Sequence, residues 1–235
     1  MIRERWVRSQ AGAMLYDARY ADQFHARWFE PQHWLARDAA RATHGGRGAS
    51  WFVDGVEPWV LRRYRRGGWV GRWIRDRYLW TGEPRARPVA EWRLLAWAHD
   101  AGLPVARPVA ACLARSGPFY RAALITARVA GRSLAERAGA GAPDARDWTA
   151  AGAAIRRCHD AGLDHADLNL HNVLVGDDGA VWIIDLDRGA RRSGPGAWAA
   201  RNLARLARSL DKMAWSAAEK DAALVALRQG YGSND

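Results

Sequence analysis

The apolar positions of the N-terminal half follow two different periods. Short apolar runs, each bounded by Gly or Pro, predict strands at residues 59–64, 102–117 and 119–129. Residues 88–101 instead repeat apolar side chains at helical spacing, with a proline at the start and a glycine directly after the end. Residues 1–42 show no clear period, and we expect them to form an N-terminal extension. The pattern predicts a β-rich half with one helix.

The C-terminal half carries mostly helical patterns. Helices are predicted at residues 131–139, 147–163, 198–212 and 216–231. The apolar face of the second of these is formed by Trp148, Ala151, Ile155 and Cys158. Between the second and third helices, the short runs NVLV and AVWIID flank the turn sequence GDDG, which predicts a β-hairpin. This half is therefore predicted to be α-rich, with one small hairpin.

Polar residues gather at the two ends of that hairpin. Asp167 and Asn172 precede its first strand, and Asp185 closes its second strand thirteen residues after Asn172. Two short strands joined by a tight turn would bring these positions together, outside the sheet. The segment from His165 also matches the H-x-D-x-x-x-x-N pattern of a phosphoryl-transfer loop. The alternative is that the Asp and Asn side chains only cap turns.

A phosphoryl-transfer site needs few protein groups, and this segment contains most of them. It requires a carboxylate beside the acceptor hydroxyl, ligands for Mg²⁺ and cations near the phosphates. Asp167 would accept the proton of that hydroxyl or orient it. Asn172 and Asp185 would hold Mg²⁺, which prefers oxygen ligands and keeps several waters. His165 is expected to brace the loop by hydrogen bonds rather than to move protons.

Composition adds a strongly basic surface to this picture. The formal net charge of +11 favours anionic partners, such as nucleotide phosphates, nucleic acid, lipid headgroups or acidic sugars. A coding bias toward Arg and Ala is an alternative cause. Of the 14 Trp residues, Trp69 and Trp73 have basic neighbours, which suits either a membrane interface or ordinary packing. The two Cys residues match no metal or disulfide pattern, so a reducing compartment is expected.

Four segments resemble the protein-kinase-like superfamily and, more narrowly, the lipopolysaccharide kinases that phosphorylate 3-deoxy-D-manno-octulosonic acid (Kdo). They are VLRRYRRGG (60–68), AEWRLLAWAHDAGLPVARPVAA (90–111), HADLNLHNVLV (165–175) and IIDLDRG (183–189). The resemblance covers most of the chain, from about Gly45 to Leu210. It implies an α+β, bilobal protein-kinase-like fold. The β-rich N-lobe with one αC helix would span residues 43–126, and a reduced α-rich C-lobe residues 127–235.

The resemblance also implies roles for individual residues. Asp167 matches the catalytic aspartate, with His165 opening its motif, while Asn172 and Asp185 match the metal ligands. Glu91 matches the glutamate of the αC helix. The residues implied to contact ATP are Arg62, Glu91, Gly45, Gly46, Gly48, Thr126 and Val129. The three glycines stand where a loop covers the phosphates, although an ordinary hairpin turn explains them equally well.

The sequence departs from the protein-kinase pattern at three places. The lysine of the third strand is replaced by Arg62 or, if the strand slips by one residue, by Arg63. The DFG motif reads Asp-Leu-Asp, and its last residue, Asp187, would either bind metal or substrate or pair with Arg188. Asn169 occupies the place of the lysine that follows the catalytic aspartate in protein kinases. No A-P-E segment follows, so the acceptor is not expected to be a protein.

The resemblance implies transfer of the ATP γ-phosphate to a hydroxyl, O-4, of Kdo on a lipid A precursor. The expected cofactors are ATP and Mg²⁺, and the expected location is the cytoplasmic face of the bacterial inner membrane, bound peripherally to its anionic surface. No nucleic acid partner is expected. Arginines near the motifs are candidates for acceptor contacts, although a solvated surface role suits each of them: Arg62, Arg65, Arg66, Arg188, Arg191 and Arg192.

Other functions fit the same residues. A lipopolysaccharide heptose kinase or an aminoglycoside-type small-molecule kinase would share the catalytic set. A basic nucleic-acid-binding pseudokinase would use the charge and the aromatic residues, but the intact Asp167, Asn172 and Asp185 argue against loss of catalysis.

Overall fold

The computed structural model describes residues 1–43, 50–64, 77–141 and 144–232. The chain divides into two compact units. The first comprises Met1–Asp100 with Arg107–Arg128, and the second comprises Ala101–Ala106 with Val129–Asp235. The protein is a mixed α/β chain with an antiparallel sheet and helices, as the sequence predicted at this level. The predicted lobes at 43–126 and 127–235 stay a prediction.

The first unit is built on an eight-stranded sheet whose pairings are all antiparallel. Its strands are β1 (Glu4–Ser9), β2 (Gly12–Asp17), β3 (Ala40–Ala42), β4 (Ser50–Asp54), β5 (Pro58–Arg63), β6 (Tyr78–Leu79), β7 (Pro108–Ser116) and β8 (Phe119–Ala127). Their order is β1-β2-β7-β8-β5-β4-β3, and β6 pairs with β8. The predicted strands at 59–64 and 119–129 are confirmed. The prediction at 102–117 was too long, because β7 begins only at Pro108.

Residues 1–42 contribute to this unit more than their sequence pattern indicated. The β1–β2 hairpin extends the sheet, and β2 pairs with β7 from Gly12 to Tyr16. β1 lies at the sheet edge and is exposed along almost all of its length, so it shows no apolar alternation. A short helix, α1 (Pro31–Leu35), follows. The helix α2 (Arg87–Asp100) is therefore not the only helix of this unit.

An aromatic cluster fixes the N-terminal residues to the sheet. Trp59 of β5 is fully buried, and its ring is surrounded by the rings of Trp28, Trp34 and Tyr20. The Trp28 and Trp59 centroids are 4.6 Å apart. Large aromatic side chains contribute much of the buried apolar area in such a cluster. Core packing accounts for these Trp residues, whereas Trp69 and Trp73 lie outside the described residues.

The second unit combines four helices with short strand pairs. The helices are α3 (Leu134–Ala140), α4 (Ala145–Asp160), α5 (Ala197–Leu210) and α6 (Ala217–Gly232). The strands are β9 (Arg132–Ser133), β10 (Leu163–Asp164), β11 (Val173–Val175), β12 (Val181–Ile183) and β13 (Ala190–Arg191). β11 pairs with β12 and β9, and β10 pairs with β13. All four predicted helices are confirmed.

Helices α4 and α6 pack with almost no space between their backbones. A Cβ added at Gly152 of α4 would overlap the carbonyl oxygen of Leu227, and one added at Gly230 of α6 would overlap that of Thr149. The predicted apolar face of α4 is buried, from Trp148 to Cys158. None of the helices in the described ranges combines the length and the hydropathy that a membrane span requires.

Candidate active site

The predicted hairpin is present, and its register sets the geometry of the site. Val173 of β11 pairs with Ile183 of β12. One position further out, the Ile184 N–H donates to the carbonyl oxygen of Asn172 at 3.0 Å. Asn172 and Asp185 therefore lie at the same end of the hairpin, as their spacing predicted.

His165 holds this end of the hairpin to the loop that precedes it. Its ring is buried, with 2% exposure, and Nε2 lies 3.0 Å from the carbonyl oxygen of Ile184. The Asp167 N–H donates to Nδ1 at 3.2 Å. Because a carbonyl only accepts and an N–H only donates, the imidazole is neutral, with its hydrogen on Nε2. Burial lowers the pKa of His165 below its ordinary value, which favours the same form.

The loop between His165 and Asn172 holds the backbone of Asp167 but leaves its side chain exposed. The side-chain amides of Asn169 and Asn172 donate to the Asp167 carbonyl oxygen at 2.8 and 3.0 Å. The Asp167 side chain is 66% exposed. Asn169, at the place of the protein-kinase lysine, is thus a backbone brace. The arrangement presents one carboxylate to solvent from a fixed backbone, as a group that accepts a substrate proton requires.

The Asp-Leu-Asp segment follows β12 with an unusual backbone. Asp185 has a φ of 61°, in the left-handed region that few residues other than glycine adopt. Leu186 is fully buried and provides an apolar anchor between the two aspartates. Arg188 also has a φ of 61°. Residues in such conformations cluster at functional sites, because the surrounding structure must stabilise them. Whether Asp187 pairs with Arg188 stays a prediction.

The donor set at the hairpin end fits a hard divalent cation. The Asn172 side chain is mostly buried and uses its NH₂ group on the Asp167 carbonyl, so its amide oxygen is the group left to act as a ligand. Asp185 adds a carboxylate. No group of three His, Cys, Asp or Glu side chains in the described ranges could hold a metal by itself. One carboxylate and one amide suit Mg²⁺, which takes its remaining ligands from water and phosphate.

One face of α5 supports the same loop. Asn202 accepts the His165 N–H at 2.9 Å and donates to the Asp164 carboxylate at 3.0 Å. Two turns later, the Ser209 hydroxyl accepts the Leu170 N–H at 3.2 Å. Between them, the Arg205 guanidinium lies 3.6 Å from the Asp167 carboxylate. Residues 202, 205 and 209 share one helix face, and each contacts a successive position of the loop.

In the first unit, Arg62 and Glu91, which the resemblance implied as ATP contacts, form an ion pair. Arg62 of β5 donates to both carboxylate oxygens of Glu91 on α2, at 2.5 and 2.6 Å. The Tyr64 hydroxyl donates to the same carboxylate, which is 3% exposed. Arg63 belongs to the opposite face of the strand and reaches the Phe29 carbonyl at 3.5 Å. The structure therefore brings Arg62, rather than Arg63, together with Glu91.

The remaining predicted residues are distributed differently. Thr126 lies near the end of β8 and pairs with Val60, while Val129 begins the second stretch of the second unit. Gly45, Gly46, Gly48, Arg65 and Arg66 lie outside the described residues. Arg192 donates to Asp164 at 3.0 and 3.1 Å, so this arginine has a structural partner within its own unit. Arg188 is exposed, and Arg191 pairs with Leu163 in the β10–β13 ladder.

Residues 32–227 match the model of the lipopolysaccharide kinase (Kdo/WaaP) family. The chain belongs to this family. It is 45% identical to a 3-deoxy-D-manno-octulosonic acid kinase of Stenotrophomonas maltophilia (strain R551-3) over 227 residues, which cover 94% of this chain and 89% of the relative. It is 48% identical to one of Xanthomonas campestris pv. campestris (strain B100) over 217 residues, covering 89% and 84%.

Membership of this kinase family makes the chain a phosphotransferase, as its sequence predicted. The contacts that sequence reasoning missed in this lipopolysaccharide kinase lie on α5: Asn202, Arg205 and Ser209. They are separated from the loop by more than 35 residues, so no local motif includes them. The available signal was the i, i+3, i+7 spacing of polar side chains in a predicted amphipathic helix.

Proposed function

We propose that this lipopolysaccharide kinase transfers the γ-phosphate of ATP to O-4 of Kdo on a lipid A precursor. The observation that supports the proposal is the exposed Asp167 carboxylate on a braced loop that leads into the hairpin end where Asn172 and Asp185 lie. The curated relatives named as Kdo kinases support the choice of acceptor. The proposal includes a bilobal protein-kinase-like fold with a β-rich N-lobe and a reduced C-lobe.

Asp167 would receive the proton of the acceptor hydroxyl. As the hydroxyl oxygen forms its bond to the γ-phosphorus, the bond from that phosphorus to the β,γ-bridging oxygen breaks and ADP leaves. The carboxylate is exposed to solvent, so a bulky sugar can reach it. His165 does not supply this proton transfer, because both of its ring nitrogens bind backbone groups. It keeps the Asp167 backbone in place.

Asn172 and Asp185 would hold Mg²⁺, which supplies positive charge to the phosphate oxygens when bound. In the first unit, Arg62 would bind ATP phosphate, with Glu91 fixing its orientation. An arginine is always charged and offers a planar set of donors to phosphate oxygens. The buried Glu91 carboxylate is the reason that this long side chain is ordered.

The proposed setting is peripheral binding to the cytoplasmic face of the inner membrane. The formal charge of +11 supports it, because each basic side chain near an anionic bilayer adds about 1 kcal/mol of attraction. Sedimentation with anionic vesicles, compared with neutral vesicles and with raised salt, tests this part separately from catalysis. Equal binding to both vesicle types would contradict it.

The function is tested by transfer from γ-labelled ATP to a Kdo-bearing lipid A precursor with Mg²⁺, with the product mapped by mass spectrometry and NMR. One phosphate on O-4 of Kdo is expected, and Asp167→Ala should abolish it. Asp221→Asn, an exposed aspartate on α6, is the matched control and should retain activity. If the folded protein phosphorylates only heptose-bearing cores or soluble sugars, the proposed acceptor is wrong, but the kinase activity stands.

A further inference from the structure

Arg205 is held at the catalytic carboxylate by a helix that is itself anchored to the loop. Its neighbours on the same face, Asn202 and Ser209, bind the backbone N–H groups of His165 and Leu170. Asn202 is buried and lies before Arg205, and Ser209 lies after it, so α5 is attached to the loop on both sides of Arg205. The arginine thus projects from a rigid support toward Asp167.

Stability does not explain the Arg205–Asp167 pair. The two side chains are 49% and 66% exposed, and their closest atoms are 3.6 Å apart. Exposed ion pairs of this kind contribute about 0–1 kcal/mol, because water screens them and ordering long side chains has an entropic cost. The guanidinium has five N–H donors, and one carboxylate contact at this distance leaves most of them available for another anion.

Two further arginines extend the positive charge along α5. Arg201 and Arg208 lie one turn before and about one turn after Arg205, and all three are exposed. The described structure gives no ion pair to Arg201 or Arg208. The loop itself lacks the lysine that protein kinases place two residues after the catalytic aspartate, because Asn169 stands there and braces the backbone. A cation beside Asp167 therefore comes from α5.

We infer that Arg205 determines acceptor specificity by binding the carboxylate of the sugar acid next to the hydroxyl that Asp167 orients. Kdo carries a carboxylate on its ring, and a guanidinium binds carboxylates through paired N–H donors. An acceptor bound in this way would bring its hydroxyl to Asp167 and replace the weak resting contact of Arg205. The inference rests on the proposed function.

The test compares two acceptors in two proteins. The acceptors are a Kdo glycoside with a free carboxylate and its methyl ester, and the proteins are the wild type and Arg205→Gln. With the free acid, we expect Arg205→Gln to raise the acceptor KM roughly 10- to 100-fold, the effect of losing a charged hydrogen bond. With the methyl ester, the same substitution should change KM less than about threefold, because the charged partner is already absent. The KM for ATP should stay unchanged.

Two variants control the experiment. Arg205→Lys keeps the charge and should restore part of the acceptor affinity. Arg228→Gln removes an equal charge from an exposed position of α6 and should match the wild type. A fall in kcat with unchanged acceptor KM and a shifted pH profile would overturn the inference, because Arg205 would then act only on Asp167. An equal loss with acid and ester would also overturn it. If the wild type phosphorylates no Kdo acceptor, the proposed function itself fails.

Discussion

The two units bury opposite kinds of ionisable side chain. In the described residues, the first unit buries the carboxylates of Asp17 and Glu91, and the second buries the imidazoles of His159 and His165. Glu91 uses its negative charge to hold the cation of Arg62. His165 uses a neutral ring to bind backbone groups, one of which is the N–H of Asp167, the residue that carries the exposed carboxylate. In the first unit, the charge of Arg62 is positioned by an ion pair. In the second unit, the charge of Asp167 is positioned by hydrogen bonds to the backbone of the residue that carries it.

The largest effect should follow from removing the exposed charge. Asp167→Asn should lower kcat about 10²- to 10⁴-fold, because the amide cannot accept the hydroxyl proton. Its Tm should change by no more than about 2 °C, since the side chain is exposed and its one ion pair is weak. Steady-state kinetics and calorimetry on the same preparation check both values. A large loss of Tm would show that the carboxylate also supports the fold.

Acid should destabilise the second unit through its buried imidazoles. Burial lowers the pKa of His159 from 6.5 to about 4, so between these values the unfolded chain binds a proton that the folded chain does not. Stability should therefore fall as pH drops from about 6.5 to 4, by about 3 kcal/mol from this residue. Urea unfolding across this range should show a shallower pH dependence in His159→Phe. An unchanged slope in that variant would contradict the assignment.

In the first unit, the buried pair should matter for stability as well as for ATP. Glu91→Gln should cost about 2 kcal/mol of unfolding free energy, the value of a hydrogen bond to a charged group. It should also raise the KM for ATP, because Arg62 loses the charge that orients it. The matched control is Glu83→Gln, which removes one partner of the more exposed Arg8–Glu83 pair and should cost less than about 1 kcal/mol. Urea unfolding of both variants separates the two cases. If the two variants lose the same unfolding free energy, the prediction that the buried pair stabilises the fold more than the exposed pair is wrong.

The smallest predicted effect tests which arginine of β5, Arg62 or Arg63, is directed at ATP. Arg62→Lys should raise the KM for ATP about five- to tenfold, because an ammonium offers a phosphate fewer aligned donors than a guanidinium, a difference of about 1 kcal/mol. Arg63→Lys should leave the KM for ATP unchanged, since this side chain reaches the Phe29 carbonyl on the other face of β5. The reverse result would show that Arg63 is the residue directed at ATP.

The sequence allowed the parts of the site that depend on local spacing to be predicted. The two apolar runs around GDDG predicted the hairpin, and the spacing of Asn172 and Asp185 predicted that both lie at one end of it. Helical periodicity predicted α2 and the apolar face of α4. Strand alternation alone did not decide whether Arg62 or Arg63 replaces the lysine of protein kinases. The contact of Arg62 with Glu91 on α2 distinguishes the two arginines. β1 was not predicted, because an exposed edge strand buries no face and leaves no alternation.

The contacts of α5 were missed for a different reason. Asn202 binds the backbone N–H of His165, and such a bond leaves no mark on the residue type at position 165. Arg205 looks like one of many solvated arginines until the helix face that carries it is known to adjoin the loop. The polar spacing on α5 indicates a shared helix face, but which loop that face contacts followed only from the three-dimensional structure.

The contact of α4 with α6 limits which amino-acid substitutions this protein can accept. Because Gly152 and Gly230 leave no room for even one methyl group between the two backbones, neither position can accept a substitution without moving a whole helix. The exposed positions of α6, such as Val225 and Arg228, carry no such restriction. In a library of α6 variants selected for activity, most of the exposed surface should drift while Gly230 stays glycine, so the interface would act as a fixed point around which the rest of the helix diversifies.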